Sequence, residues 1–215
     1  MEGSRGLGDV YKRQALNVVI ISGMIGQLII LPNAVKRAQK NVVLSYGGGI
    51  FVGVYLGLYF LFQRDIADIT FFMGIFIILA TLILISGWKY QGPINNYTSG
   101  SFGTGIGFFA GFFGVPTGPL TGLFFLSLKE DIKIIQANIQ CIVILTVLAF
   151  FTYFYFIEGF RSDYLLLGLI MSLPLAVGLK TGQYLFNFLP EKVFRPITYI
   201  CLISLGSSLC FKAYN

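Results

Sequence analysis

The amino-acid sequence predicts an all-α, polytopic helical membrane protein: six transmembrane helices plus one Gly/Pro-broken, re-entrant segment, arranged as an inverted repeat. Three observations predict it. The chain is 56% hydrophobic and 11% charged with a mean hydropathy of +0.80, and its polar residues collect in short loops between apolar runs long enough to cross a hydrocarbon core of roughly 30 Å. One run, Phe102 to Leu128, carries Gly103, Gly105, Gly107, Gly111, Gly114, Gly118 and Gly122, with Pro116 and Pro119 at its centre. At a constant offset of 121 residues, Asn17 matches Asn138, Gly47 matches Gly168 and Gly57 matches Gly178. Each match falls at the same place in a corresponding run, as two internal repeats require.

Met1 to Gln14 stands apart. It is polar, lacks the apolar core of a signal peptide, and ends in GDVYKRQ, which resembles translated adapter read-through. Residues 1–14 are therefore read as a non-native or disordered tail, and residues 15–215 as a single transmembrane domain. Its first repeat, 15–99, holds the spans Ala15 to Val35, Val42 to Phe62 and Ile69 to Trp88. The second, 100–215, holds the broken segment and the spans Ile134 to Ile157, Tyr164 to Leu189 and Val193 to Phe211. Between the halves, KYQGPINNYTSG from Lys89 to Gly100 reads as a loop because Gly, Pro, Asn and Ser interrupt any apolar period.

No continuous helix tolerates the centre of the broken segment. Proline removes a backbone donor and clashes with the preceding turn, so two half-helices meeting at an unwound Val115 to Pro119 are expected. Inside a bilayer, such a break survives only where it is buried in protein or lines a polar cavity. Charge decides whether the segment crosses. If it returns to its starting side, Lys36, Arg37, Lys40, Lys89, Lys129, Lys133, Lys180, Lys192 and Arg195 share one face against Arg64, Arg161 and Lys212, a division of nine to three. A full crossing gives six to six. The positive-inside rule prefers the re-entrant version, which also inverts the two repeats.

Several function classes are excluded. The net charge of +6 reports loop orientation in such a protein, so nucleic acid is not a partner. Histidine is absent, and Cys141, Cys201 and Cys210 lie inside apolar runs without ligand-like spacing. Hence no metal site and no cofactor are expected, and the cysteines read as small buried hydrophobes. Asp65, Asp68, Glu130, Asp131, Glu158, Asp163 and Glu191 lie in loops or at span ends, which leaves paired-carboxylate and Ser-His-Asp chemistry without support. The chain is not read as an enzyme. A membrane-embedded enzyme or a non-transporting membrane subunit is the alternative, and homo-oligomerisation stays open.

The break is the candidate site. The N-terminal end of a half-helix offers unpaired N–H groups and the positive end of a dipole, which suits a small anionic substrate. Gly114, Thr117, Gly118 and Thr121 are its candidate residues, with Pro119 fitting the first turn of the second half-helix. Gly103, Gly105, Gly107 and Gly111 read as packing glycines. Asn138 and its repeat mate Asn17 put amides into apolar spans, either as substrate donors or as interhelical hydrogen bonds. Lys180 is the one charge well inside a span; it attracts the substrate or, as its place in the latter half of the span favours, snorkels to the interface.

GFFAGFFGVPTGPLTGLFFLSL followed by a short charged loop and IIQANIQ, together with SLPLAVGLKTGQYLFNFLPEKVFRPITYICLISLGSSL, resembles the second half of the TauE/SafE sulfite exporter family. The resemblance covers about Ala15 to Phe211. It implies a secondary transporter of sulfite, sulfonates or related organosulfur anions, multi-pass in a prokaryotic cytoplasmic membrane. It also implies a matching Gly-rich motif ahead of Ala15. None stands there, so the chain is expected to be an N-terminally truncated form whose first broken segment is missing.

Overall fold

The structure is a computed structural model in which the described residues are 13–24, 34–87, 90, 92, 95–114, 121, 124–125, 130–159, 163–188 and 191–214. Its regular elements are helices: α1 (residues 13–24), α2 (Lys40–Gln63), α3 (Ile66–Ile85), α4 (Asn96–Phe113), α5 (Ile132–Tyr153) with a π-helical continuation Phe154–Gly159, α6 (Asp163–Phe188) and α7 (Glu191–Tyr214). No strand occurs among the described residues. Among the described residues, three stretches are long and apolar enough to cross a membrane, Lys40–Gln63, Ile66–Ile85 and Lys133–Ile157, and Leu166–Gly178 and Tyr199–Ala213 are shorter apolar helices. The chain forms two compact units. One comprises Met1–Gln63 and Lys89–Ser172, the other Arg64–Trp88 and Leu173–Asn215, so that α6 contributes residues to both.

Glycine builds the first unit. A Cβ on Gly49 would strike the Gly100 carbonyl and lie 2.8 Å from the Thr104 nitrogen, one on Gly53 would lie 2.6 Å from Phe108 N, and one on Gly57 2.6 Å from Phe112 N. The partners advance together by four residues in the same direction. Helices α2 and α4 therefore run parallel, backbone on backbone. From the other side, Gly103 faces the Tyr46 carbonyl, Gly107 the Ile50 carbonyl and Gly111 the Val54 carbonyl. Apolar association gains little between helices already in lipid, and close contact of this kind supplies the packing that holds them. Gly105 points away, exposed with nothing within 4 Å, so the expectation that it packs with its neighbours is corrected. An α-helical stripe repeats every three to four residues, and Gly105 is out of step with it.

Helix α5 also follows α2. Asn138 meets Gln39, Gly47 faces Leu145, Tyr55 packs edge-on to Tyr153 at 5.2 Å, and Phe62 lies 6.1 Å from Phe154. Helix α1 runs the other way. Its Arg13 guanidinium sits 5.6 Å over the Phe62 ring at the end of α2, whereas Gly23 reaches Val147 in the body of α5.

Helix α4 begins earlier than the sequence reading expects. Asn95 accepts from the Thr98 N–H and Thr98 Oγ1 accepts from the Asn95 N–H, each at 2.9 Å. That capping box starts the helix at Asn96, inside the stretch read as loop. It ends at Gly114, whose φ of 66° and ψ of 27° are left-handed and whose N–H closes on the Ala110 and Gly111 carbonyls. Eighteen residues span about 27 Å.

In the second unit, α3 and α7 meet at one crossing. Gly74 and Gly206 face each other's carbonyls, the added Cβ atoms falling 2.7 and 2.9 Å from them. The Cys210 thiol approaches the Phe71 carbonyl at 3.8 Å. Cys141 is buried and Cys210 half-buried, but Cys201 is exposed on α7, which corrects the reading of all three cysteines as buried.

Candidate functional site

The site is bounded by what enters with α4 and what returns after it. Gly111 packs at the level of Val54 to Leu58, so Gly114 lies past the middle of α2. Further along the chain, Phe124 and Phe125 lie back at Tyr46, each with ring centroids 5.2 Å from it, and Phe124 lies tilted against Phe102 of early α4 at 4.9 Å. Glu130 then accepts a 2.8 Å hydrogen bond from Gln39 Nε2, just before α2 begins. The chain thus descends alongside α2 and comes back to the level at which α2 starts.

Gly114 is favoured as glycine by its backbone and by a close neighbour. Its left-handed φ is unfavourable for residues with a Cβ, and that Cβ would lie 2.7 Å from Leu16 Cδ2 of α1. Thr121 is helical and 1% exposed, on the returning limb. Thr117 and Gly118 lie outside the described residues, as does the expected unwound stretch from Val115 to Pro119. Lys180 falls on α6, with its side chain outside the described set.

The two asparagines are both buried and are engaged differently. Asn138 Oδ1 accepts from the Gln39 backbone N–H at 2.8 Å and its Nδ2 donates to Gln39 Oε1 at 3.2 Å. Asn17 Nδ2 donates to the Arg13 carbonyl at 2.9 Å, and its Oδ1 is buried without a partner. No hydrogen bond joins the two amides among the described residues.

Sequence reasoning passed over Tyr46. Its side chain is fully buried, packed by Phe124 and Phe125, and its hydroxyl has no hydrogen-bond partner. Thr121, buried on the returning limb just ahead of Phe124 and Phe125, is the polar side chain beside it. Ser99 Oγ on α4 is likewise buried and unpartnered. The available signal was the run Tyr46-Gly47-Gly48-Gly49, a hydroxyl-bearing aromatic beside three glycines within an apolar span. Chemically, the arrangement offers neutral donors and backbone dipoles. No cluster of three or more potential metal ligands occurs among the described residues.

A family model described as sulfite exporter TauE/SafE matches residues 12–209. No curated protein and no solved structure gives a significant match to the chain. The family match begins at the head of α1, continues through the glycine-rich α4 and its return, and ends within α7. With several apolar helices behind it, this is a multi-pass cell-membrane protein of membrane transport, and the chain belongs to the sulfite exporter TauE/SafE family.

Proposed function

We propose that this chain is a secondary transporter of small sulfur-containing anions, sulfite or sulfonates, and not an enzyme. The observation that carries the proposal is the helix that stops at Gly114 within the depth of α2 while the chain reappears, at Phe124 and Phe125, beside Tyr46. A backbone break at that depth needs polar partners. The N–H groups around Gly118, with the Thr117 and Thr121 hydroxyls, provide them for an anion, while Gly114 sets the turn and Asn17 and Asn138 flank it. Lys180 serves the substrate only indirectly. Donors without fixed positive charge bind an oxyanion weakly enough for release, as transport demands.

The proposed architecture is an inverted repeat of six spans around this re-entrant segment. Support comes from direction and from exchange. Helix α1 runs opposite to α5, its counterpart at the repeat offset, and Gly47 of α2 packs on α5 whereas its mate Gly168 of α6 packs on Ile21 of α1.

Purified protein in liposomes should take up labelled sulfite and a short alkanesulfonate saturably, and acetate poorly. Absence of saturable flux for all three would sink the proposal.

A further inference from the structure

A tyrosine hydroxyl enclosed by protein normally finds a partner, because phenylalanine fills nearly the same space without burying a polar atom. Tyr46 breaks that rule. It is 0% exposed, its Oη has no hydrogen-bond partner, and its ring is fixed between Phe124 and Phe125 at 5.2 Å from each. The backbone on which it stands is held as firmly, since Gly103 of α4 presses on the Tyr46 carbonyl. Ring packing therefore explains the aromatic body and leaves the hydroxyl unaccounted for.

Position accounts for it. Thr121, buried on the returning limb just ahead of Phe124 and Phe125, is the polar side chain beside the hydroxyl, so two side-chain hydroxyls from different elements share one enclosed place. Both can donate, and neither carries charge.

We infer that Tyr46 is a substrate-binding residue whose hydroxyl, together with that of Thr121, donates to one small oxyanion. The inference rests on the transport reading above and adds to it a residue of α2, outside the broken segment. An oxyanion between the two hydroxyls satisfies both, and a hydrogen bond to a charged acceptor is stronger than one between neutral groups.

Tyr46→Phe separates the hydroxyl from the ring. In proteoliposomes its KM for sulfite should rise about tenfold, the loss expected for one donor to a charged group, with maximal flux within about twofold and thermal stability in detergent equal to or above wild type. Thr121→Val should raise KM similarly and Thr121→Ser should restore it. An unchanged KM in Tyr46→Phe overturns the inference while leaving the transport reading intact. A fall in thermal stability with KM unchanged identifies a structural hydroxyl and also overturns it. Absence of saturable sulfite flux in the wild type removes the transport reading and this inference with it.

Discussion

Gly53→Leu is expected to abolish the folded protein. Its added Cβ would meet the Thr104 carbonyl, the Phe108 nitrogen at 2.6 Å and the Gly107 carbonyl carbon at 2.9 Å, whereas carbon contacts are comfortable only from about 3.5 Å. All three are backbone atoms of a regular helix, so no rotamer change relieves the clash. α4 must move as a body, which breaks the Gly49, Gly57, Gly103, Gly107 and Gly111 contacts together. The cost is at or beyond the upper end of ordinary overpacking, about 3 kcal/mol. Size-exclusion of detergent extracts should show loss of the monodisperse peak for Gly53→Leu and for Gly107→Leu. Gly48→Leu and Gly105→Leu, whose positions have nothing within 4 Å, should elute as wild type. Normal behaviour of Gly53→Leu would mean that α2 and α4 are not packed backbone to backbone.

Gly118→Leu is expected to reduce anion flux to background with the protein level in the membrane unchanged. On the proposed site, a leucine side chain at position 118 would occupy the space in which the anion reaches the backbone N–H groups. Thr117→Val removes one donor and should weaken flux about tenfold. Lys180→Gln should stay within about twofold if that lysine meets the interface rather than the substrate. Normal transport by Gly118→Leu together with a dead Lys180→Gln would place the site on the wrong helix.

Much of the architecture was legible because a membrane punishes ambiguity. Apolar length, breaker residues and loop charge each report a physical constraint, and the helices α2, α3 and α5 fall within a few residues of the runs read from sequence. The start of α4 was not legible as loop or helix from composition alone. Asn95 and Thr98 decide it by a reciprocal hydrogen bond that outweighs the Gly, Pro and Asn content upstream. The glycine stripe of α2, Gly49, Gly53 and Gly57, went unread for a different reason. A glycine signals close approach only once its partner is known, and Gly103, Gly107 and Gly111 lie 54 residues further along the chain. Asn138 was found as a buried amide, but its engagement with Gln39 depends on how the chain folds back before α2. Tyr46 escaped notice because the glycines that follow it mark only a close approach, and burial of its hydroxyl without a partner is a property of the packed structure.

The account turns on the chain reversing between Gly114 and Glu130, and sidedness tests that reversal most directly. In a variant with Cys141, Cys201 and Cys210 replaced by serine, single cysteines at Tyr97, Glu130 and Arg161 are labelled with a membrane-impermeant thiol reagent in sealed vesicles of known orientation. Tyr97→Cys and Glu130→Cys should label from the same face, the one that carries Lys36, Arg37 and Lys40, and Arg161→Cys from the opposite face. Labelling of Tyr97→Cys and Arg161→Cys from one face, with Glu130→Cys on the other, would mean that the broken segment crosses the membrane and that there is no re-entrant site.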